Sequence, residues 1–415
     1  MNVMTTMTQE MLKEYKRTEV RIIPEDWAVK SLGELFSFSG GHTASRDQLS
    51  EDGFCYLHYG DIHGSTKQYM DVATESSGIP KLNIKLDTVS KKSLLGDGDI
   101  VFVDASEDDE GTSRHIVVRN LSGIPYIAGL HTIVSKSKDD SLDSRYKEYC
   151  FQAHDIKRQF KFYAVGTKIS GISKTNIAKI LIPLPLKLEQ KAIAQHLSEI
   201  DVLISSLAKL IAKKRAIKQG AMQELLTGKR RLSGFSEKWE TKSFGSLIEL
   251  RKGEQLNKSE LTETGEYPDW NGGVEPSGYT HKWNTIKNTI TISEGGNSCG
   301  FVNFCKQKFW LGGHCYALKI TTDCLDKNFL FQLLKYREKA IMNLRIGSGL
   351  PNIQKKNLNE FELFLSTDVY EQTAIAGVLR NMDAEIDTLK QQLAKYKMLK
   401  QGMMQVLLTG RIRLV

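Results

Sequence analysis

The chain has 415 residues, 40% hydrophobic and 26% charged, with a formal net charge of +8. At ~100–200 residues per domain this length implies two or three folded units, large enough to bury cores without disulfide or metal staples. No run approaches ~18 apolar residues, which argues against a membrane-spanning helix, and the mild basic excess admits a polyanionic partner without requiring one.

Residues 1–23 read as an N-terminal extension. Their start, MNVMTTMTQEMLKEYKRTEV, lacks the apolar core of a secretory signal, so a cytoplasmic location is expected. A first module follows over residues 24–188. It opens with PEDWAVKSLGELFSFSGG from Pro24 and carries strand-like runs at Gly98–Asp104 and His115–Asn120. A helix is expected near Ser144–Phe162, and GISKTNIAKILIPLP from Gly171 closes the module with a helical turn and a last strand.

Residues 189–232 read as one long helix. Ile193, Leu197, Ile200, Ile204, Leu207 and Ile211 step by 4, 3, 4, 3, 4, the spacing of a coiled-coil seam. The segment ends at LLTG, where Gly228 is placed for a left-handed C-terminal cap. Glu189–Thr227 would extend roughly 60 Å as an unbroken helix.

A second module occupies residues 233–370. It opens with SEKWETKSFGSLIELRKGE from Ser236, with strands at Asn288–Ser293 and Cys315–Ile320 and a helix near Phe329–Leu344. Residues 371–415 then repeat the long helix, with Ile375, Leu379, Met382, Ile386, Leu389 and Leu393 on the seam and Gly410 at the cap.

The two helical segments align without a gap at an offset of 182, with 22 of 44 positions identical. The modules repeat more faintly. Trp27, Lys30, Ser31, Gly33 and Leu35 match Trp239, Lys242, Ser243, Gly245 and Leu247. Trp27 and Trp239 therefore read as module core. The expected fold class is α+β: two mixed α/β modules separated by two long antiparallel helices that form an intramolecular coiled coil, a pseudo-twofold repeat.

Catalytic motifs are missing. The sequence holds no GxxxxGK[ST], no complete GxGxxG and no HExxH. No two prolines are adjacent, so the Asp/Asn-Pro-Pro-aromatic motif of amino-methyltransferases is missing too. Cys55, Cys150, Cys299, Cys305, Cys315 and Cys324 form no CxxC pair. Four of them lie near His314, but at long and irregular spacings, so reduced interior thiols are expected rather than zinc. The acidic run Asp104–Glu110 reads as a solvated loop. Pro268-Asp269 with Glu275 only loosely echoes a nuclease core, since no x-Lys follows Glu275. No catalytic residue and no metal site are assigned.

Two unlike modules alternating with two near-identical heptad helices resemble the specificity-subunit family of Type I restriction–modification systems. The marks are TEV-x-IIPEDW (Thr18–Trp27), TISEGGNSCGFV (Thr291–Val302), the module ending Ile172–Pro185 and the EQ-x-AIA … QG-x-MQ-x-LLTG helices. Ser366 departs from the family at the position that Pro185 fills, and so does the acidic loop in a module expected to face DNA.

The resemblance implies a non-enzymatic, sequence-specific DNA-binding subunit. Each module would be a target recognition domain reading half of a bipartite, asymmetric site. The helices would set the spacer and dock two adenine-N6 methyltransferase subunits and, through them, nuclease/translocase subunits. S-adenosylmethionine, ATP and Mg would belong to those partners, with no cofactor in this chain. A methylation-only or other phage-defence complex stays open as the setting.

Specificity should come from polar side chains on base edges, and affinity from Lys and Arg on phosphates. The candidates in the first module are His42, Arg46, Lys67, Arg114, His115, Lys168 and Lys174. Those in the second are Arg251, Lys252, Gln255, Lys258, Asn271, Asn297, Arg345 and Lys355. KKRAIK (Lys213–Lys218) is a further option for touching DNA in the spacer, with a solvated helix face or a methyltransferase contact as the alternatives.

Overall fold

The computed structural model describes residues 14–65, 67–106, 111–166, 170–347, 349 and 351–414. Lys168 and residues 107–110 of the acidic loop lie outside them. The chain divides into two compact units, residues 1–206 with 393–415, and residues 207–392. The division cuts through both long helices, because each helix gives one half to each unit.

In the first unit a five-stranded sheet runs in the order Phe36–Gly40, Thr132–Ser137, Ile100–Val103, His115–Arg119, Tyr69–Asp71. All pairs are antiparallel except the last. The central strand Ile100–Val103 is an unbroken apolar run buried on both faces, as a strand covered on two sides must be. Tyr126–Ala128, Phe54–Leu57, Lys81–Leu82 and Leu49–Ser50 form a second sheet. Ala28–Ser31, from the start of the module, pairs with Leu181–Leu184 from its end.

The helix expected near Ser144–Phe162 is two helices, Lys147–Cys150 and His154–Tyr163. The break falls at Ala153, whose ψ of 138° is incompatible with a helix. Trp27, Phe102, Phe151 and Phe160 are fully buried in this unit.

The second unit repeats the plan in fewer residues. Its main sheet runs Ile248–Lys252, Cys315–Ile320, Thr289–Ser293, Val302–Cys305, all antiparallel. Gly278–Thr280, Tyr267–Trp270 and Trp310–Leu311 form the smaller sheet. Trp239–Ser243 pairs with Glu362–Ser366, again start with end. The expected helix is continuous here, Lys327–Met342, and is capped by Asp326.

The long helices are Lys187–Leu225 and Val369–Leu407, of 39 residues each. Their pairing is antiparallel within each unit. In the first, Ile193, Ala194 and Leu197 pack with Leu407 and Leu408. In the second, Ile375, Ala376 and Leu379 pack with Leu225 and Leu226. All twelve seam residues are buried or half-buried.

Ion pairs fix the register twice over. Lys400 meets Asp201 at 2.7 Å, and its equivalent Lys218 meets Asp383 at 2.6 Å. Lys214 adds a pair with Glu385 at 2.6 Å. Lys214 and Lys218 of the basic run thus serve the helix pairing.

Each helix begins at a buried carboxylate that the tail of the other helix clasps. The Glu189 side chain is fully buried and accepts Arg413 Nε at 2.7 Å, Arg413 Nη2 at 2.9 Å and the Trp27 indole N–H at 2.8 Å. Glu371 repeats this with Arg231 Nε, Arg231 Nη2 at 2.8 Å and Trp239 Nε1 at 3.1 Å. Beside each sits a buried glutamine: Gln190 donates to the Pro185 carbonyl at 2.9 Å and Gln372 to that of Ser366 at 2.8 Å. The position needs only a carbonyl, so serine replaces proline there at no loss.

Gly228 and Gly410 sit at φ of 69° and 71°, the left-handed caps expected at the helix ends. A Cβ at Gly410 would lie 2.6 Å from the Pro24 ring, so close approach demands glycine there as well as φ.

Candidate nucleic-acid interface

Each module gathers its irregular backbone at one end of its main sheet, and glycines let the loops interlock there. In the second unit, a Cβ on Gly253 would fall 2.2 Å from the Gly312 carbonyl oxygen, and one on Gly312 would fall 2.5 Å from the Asn271 side chain. Gly272, at φ 91°, would strike the His314 carbonyl at 2.9 Å. Only glycine permits such contacts.

Polar bonds complete the lock. Asn271 Oδ1 accepts the His314 N–H at 3.0 Å, and Asn271 Nδ2 donates to Gln255 Oε1 at 3.2 Å. The Glu294 N–H donates to the His314 carbonyl at 2.8 Å, and the Ile353 N–H to the Glu294 carbonyl at 2.8 Å. Glu294 Oε1 in turn receives Lys252 Nζ at 2.8 Å and the Tyr316 hydroxyl at 2.7 Å. The result is a rigid rim from which Lys252, Gln255 and His314 emerge exposed and Asn271 half-exposed.

The first unit builds the same rim from other side chains. A Cβ on Gly41, the equivalent of Gly253, would meet the Gly129 carbonyl oxygen at 1.8 Å. The Asp104 N–H donates to the His131 carbonyl at 3.2 Å and the Ile172 N–H to the Asp104 carbonyl at 2.8 Å, matching Glu294, His314 and Ile353. His131 holds a left-handed φ of 58°, rare for a residue with a side chain. Its ring lies 3.4 Å from Asp104 Oδ1 and edge-on to Tyr59 at 5.4 Å. His42 joins the rim through its N–H, donated to the Ala128 carbonyl at 2.7 Å.

The sequence candidates divide accordingly. Lys67, Arg114 and His115 line one polar cavity of about 250 Å³ with Gln68, Gln152 and Lys157. Lys67 pairs with Glu75 at 3.2 Å, and Arg114 donates to the His63 carbonyl. Arg46 is exposed, 3.6 Å from Asp61. Lys174 and Lys355 open equivalent short helices, Lys174–Ile177 and Lys355–Glu360.

Arg251 bonds Thr285 and the Asn284 carbonyl, while Asn297 and Arg345 are exposed on the loops around the second rim. Lys258 lies apart, in the turn Lys258–Glu260. Lys168 is outside the described residues.

His115 differs from its expected role. Its side chain is buried, with the ring 5.4 Å from Phe102 and 5.1 Å from Phe151. Burial lowers its pKa to about 4, so it stays neutral and serves the core rather than a base edge. Sequence reasoning missed His131 as a rim residue and weighed His314 only as a metal ligand. The signal was there: each follows a glycine-containing turn (AGLH, GGH) and precedes the strand that pairs with the module's Gly-rich opening.

Among the described residues no group of three His, Cys, Asp or Glu could hold a metal ion, and no helix is long and apolar enough to cross a membrane.

Comparison with known proteins bears on this arrangement. The family profile described as Type I restriction modification DNA specificity domain matches residues 24–215 and again residues 236–397. The putative type I restriction enzyme MjaX specificity subunit of Methanocaldococcus jannaschii is 26% identical over 425 residues, covering 97% of both chains.

The putative type I specificity subunit S.MgeORF438P of Mycoplasma genitalium is 37% identical over 152 residues, 36% of this chain. That match spans 39% of the relative's own length, and the match to S.MpnORF638P of Mycoplasma pneumoniae spans 41%. Among solved structures, the Type-I restriction-modification S subunit from M. genitalium shares the fold. Its TM-score is 0.64 at 19% identity, over 92% of this chain and 96% of that one.

Proposed function

The chain belongs to the Type I restriction–modification DNA specificity family, whose members are DNA-recognising, non-catalytic subunits, and from that membership we propose that each module reads one half of a bipartite, asymmetric DNA site. The observation that carries this reading is the doubled rim: one backbone lock built twice, bearing unlike side chains. A rigid frame with interchangeable polar groups suits base-edge readout, which needs donors and acceptors held in fixed directions. In the second module Asn271, Gln255 and His314 take that task, with Lys252 and Arg345 on phosphates. In the first, His42 and His131 hold the same place, flanked by Arg46 and Lys174.

The paired helices set the spacer between half-sites and dock two adenine-N6 methyltransferase subunits and, through them, nuclease/translocase subunits. In support, Leu188 and Tyr370 stand at equivalent positions near the two helix starts and are 76% and 82% exposed, two matching apolar contacts for two copies of one partner. S-adenosylmethionine, ATP and Mg belong to those partners, and the complex works in the cytoplasm.

Selection of bound duplexes from a random pool, using the chain co-expressed with its partners, tests the reading. The expected product is a split motif with two unlike halves. Gln255→Ala, which removes an exposed rim side chain and leaves the Asn271–His314 lock in place, should relax one half only, by about 1–3 kcal/mol per affected base pair. A continuous motif, or relaxation of both halves, contradicts it.

A further inference from the structure

Beside the second rim lies a surface that none of the base-reading candidates accounts for. Residues 281–288 and 305–310 contain four lysines, a histidine and no acidic residue. The bridge between Thr285 and Phe309 lays the two segments side by side, with N–H to carbonyl bonds of 3.1 Å in both directions. Lys308 Nζ sits 4.0 Å from the centre of the Trp283 ring, a cation–π contact that fixes the ammonium against the indole. Trp283 is 42% exposed and Ile286 63%, and Lys287, Lys306 and Lys308 are exposed with no carboxylate within 4 Å among the described residues. Neighbouring Lys282 is neutralised by Glu260 at 2.7 Å.

The patch is continuous with the rim. Asn284 Oδ1 accepts the Leu311 N–H at 2.7 Å and Asn284 Nδ2 donates to the Leu311 carbonyl at 3.2 Å, one residue before Gly312. Arg251, from the strand that leads into Lys252, bonds the Asn284 carbonyl.

We propose that this Trp283–Lys308 surface grips the DNA phosphate backbone beside the half-site read by the second module, independently of sequence. The proposal rests on the DNA-binding reading above. Three lysines without a carboxylate partner, one of them stacked on Trp283, match a polyanion, and neither of the two segments carries an acidic side chain of its own to repel it. Contacts of this class supply affinity and salt dependence and leave base preference unchanged.

The test compares the 415-residue chain with the triple variant Lys287→Ala, Lys306→Ala, Lys308→Ala, and with a control that removes the paired lysines Lys319 and Lys356. Fluorescence anisotropy measures affinity for a duplex of scrambled sequence and for the selected site across a salt series. The triple variant should lower the slope of log K against log salt by about 0.9 per lost phosphate contact, and weaken both duplexes by the same factor, about tenfold or more. The control should leave the slope alone, and Trp283→Ala should reproduce part of the loss.

An unchanged slope in a triple variant that melts like the wild type overturns the proposal, as does an equal loss in the control. Loss of a co-purifying protein with the slope intact also overturns it and reassigns the patch to a protein contact. A wild-type protein that binds neither duplex at low salt refutes the DNA-binding reading itself, an outcome distinct from these.

Discussion

Arg413 lies 224 residues from Glu189 in sequence, yet it closes the first unit on that carboxylate. Arg413→Ala removes two of the three donors to the fully buried Glu189 carboxylate and both donors to Asp26, at 3.0 and 2.7 Å. What remains at Glu189 is the Trp27 indole N–H alone. Breaking a buried pair from one side costs about 3–5 kcal/mol, because the surviving charge stays in low dielectric without its partner. At roughly 2–4 °C per kcal/mol for a unit of this size, the first unit should melt about 6–20 °C lower while the second is unaffected.

Arg231→Ala should do the same to the second unit through Glu371. Removing both partners, as in Arg413→Met with Glu189→Leu, should restore most of the loss. Differential scanning calorimetry, with the exposed pair Lys390–Asp387 as a control worth about 0–1 kcal/mol, reads all four proteins. A loss for Arg413→Ala no larger than for Lys390→Ala refutes the clasp.

Asp269 is buried with Oδ1 unpartnered among the described residues, and burial raises its pKa to about 6. A carboxyl with a raised folded pKa stabilises below its unfolded value near 3.8 and loses that contribution as pH rises through 6. Asp269→Asn should therefore stabilise the second unit by about 1–3 kcal/mol at pH 7 and by almost nothing at pH 4, measured by urea unfolding. His115 works in the opposite sense. Its folded pKa is lowered, so its contribution is present above pH 6.5 and fades as pH falls toward about 4, worth about 3 kcal/mol in all. His115→Phe should flatten that limb of the first unit's pH profile, and an unchanged profile contradicts it. Removing one seven-residue repeat from both long helices should shorten the spacer of the methylated motif by about three base pairs, at 1.5 Å per residue and 3.4 Å per base pair, with both half-sites intact.

The helices were legible because a seam at 4-and-3 spacing over six positions admits few other readings, and the strand Cys315–Ile320 falls on the short apolar run CYAL that follows the GGH turn. The clasp was not legible as a contact. Glu189, Gln190, Asp201, Lys218 and Arg231 are all identical in the second copy, but identity at an offset of 182 says nothing of partner. The partners lie in the other helix's segment, and only antiparallel pairing joins Arg231 to Glu371 rather than to Glu189. The broken helix at Ala153 was hidden because a single extended residue leaves no mark on apolar spacing. His115 was misplaced for a related reason: next to Arg114 it looks like a loop cation, but strand alternation turns it into the layer of Phe102 and Phe151. The rim glycines were visible as composition. Their interlocking depends on loops far apart in sequence.

The central claim, that this chain selects a split DNA site for methylation, is tested most directly by single-molecule mapping of methylated adenines in the source cell with and without this gene. The account predicts that one asymmetric, interrupted motif loses methylation on both strands when the gene is deleted and regains it when the gene is restored. An adenine methylome unchanged by the deletion, in cells where the protein is present and bound to a methyltransferase, contradicts it.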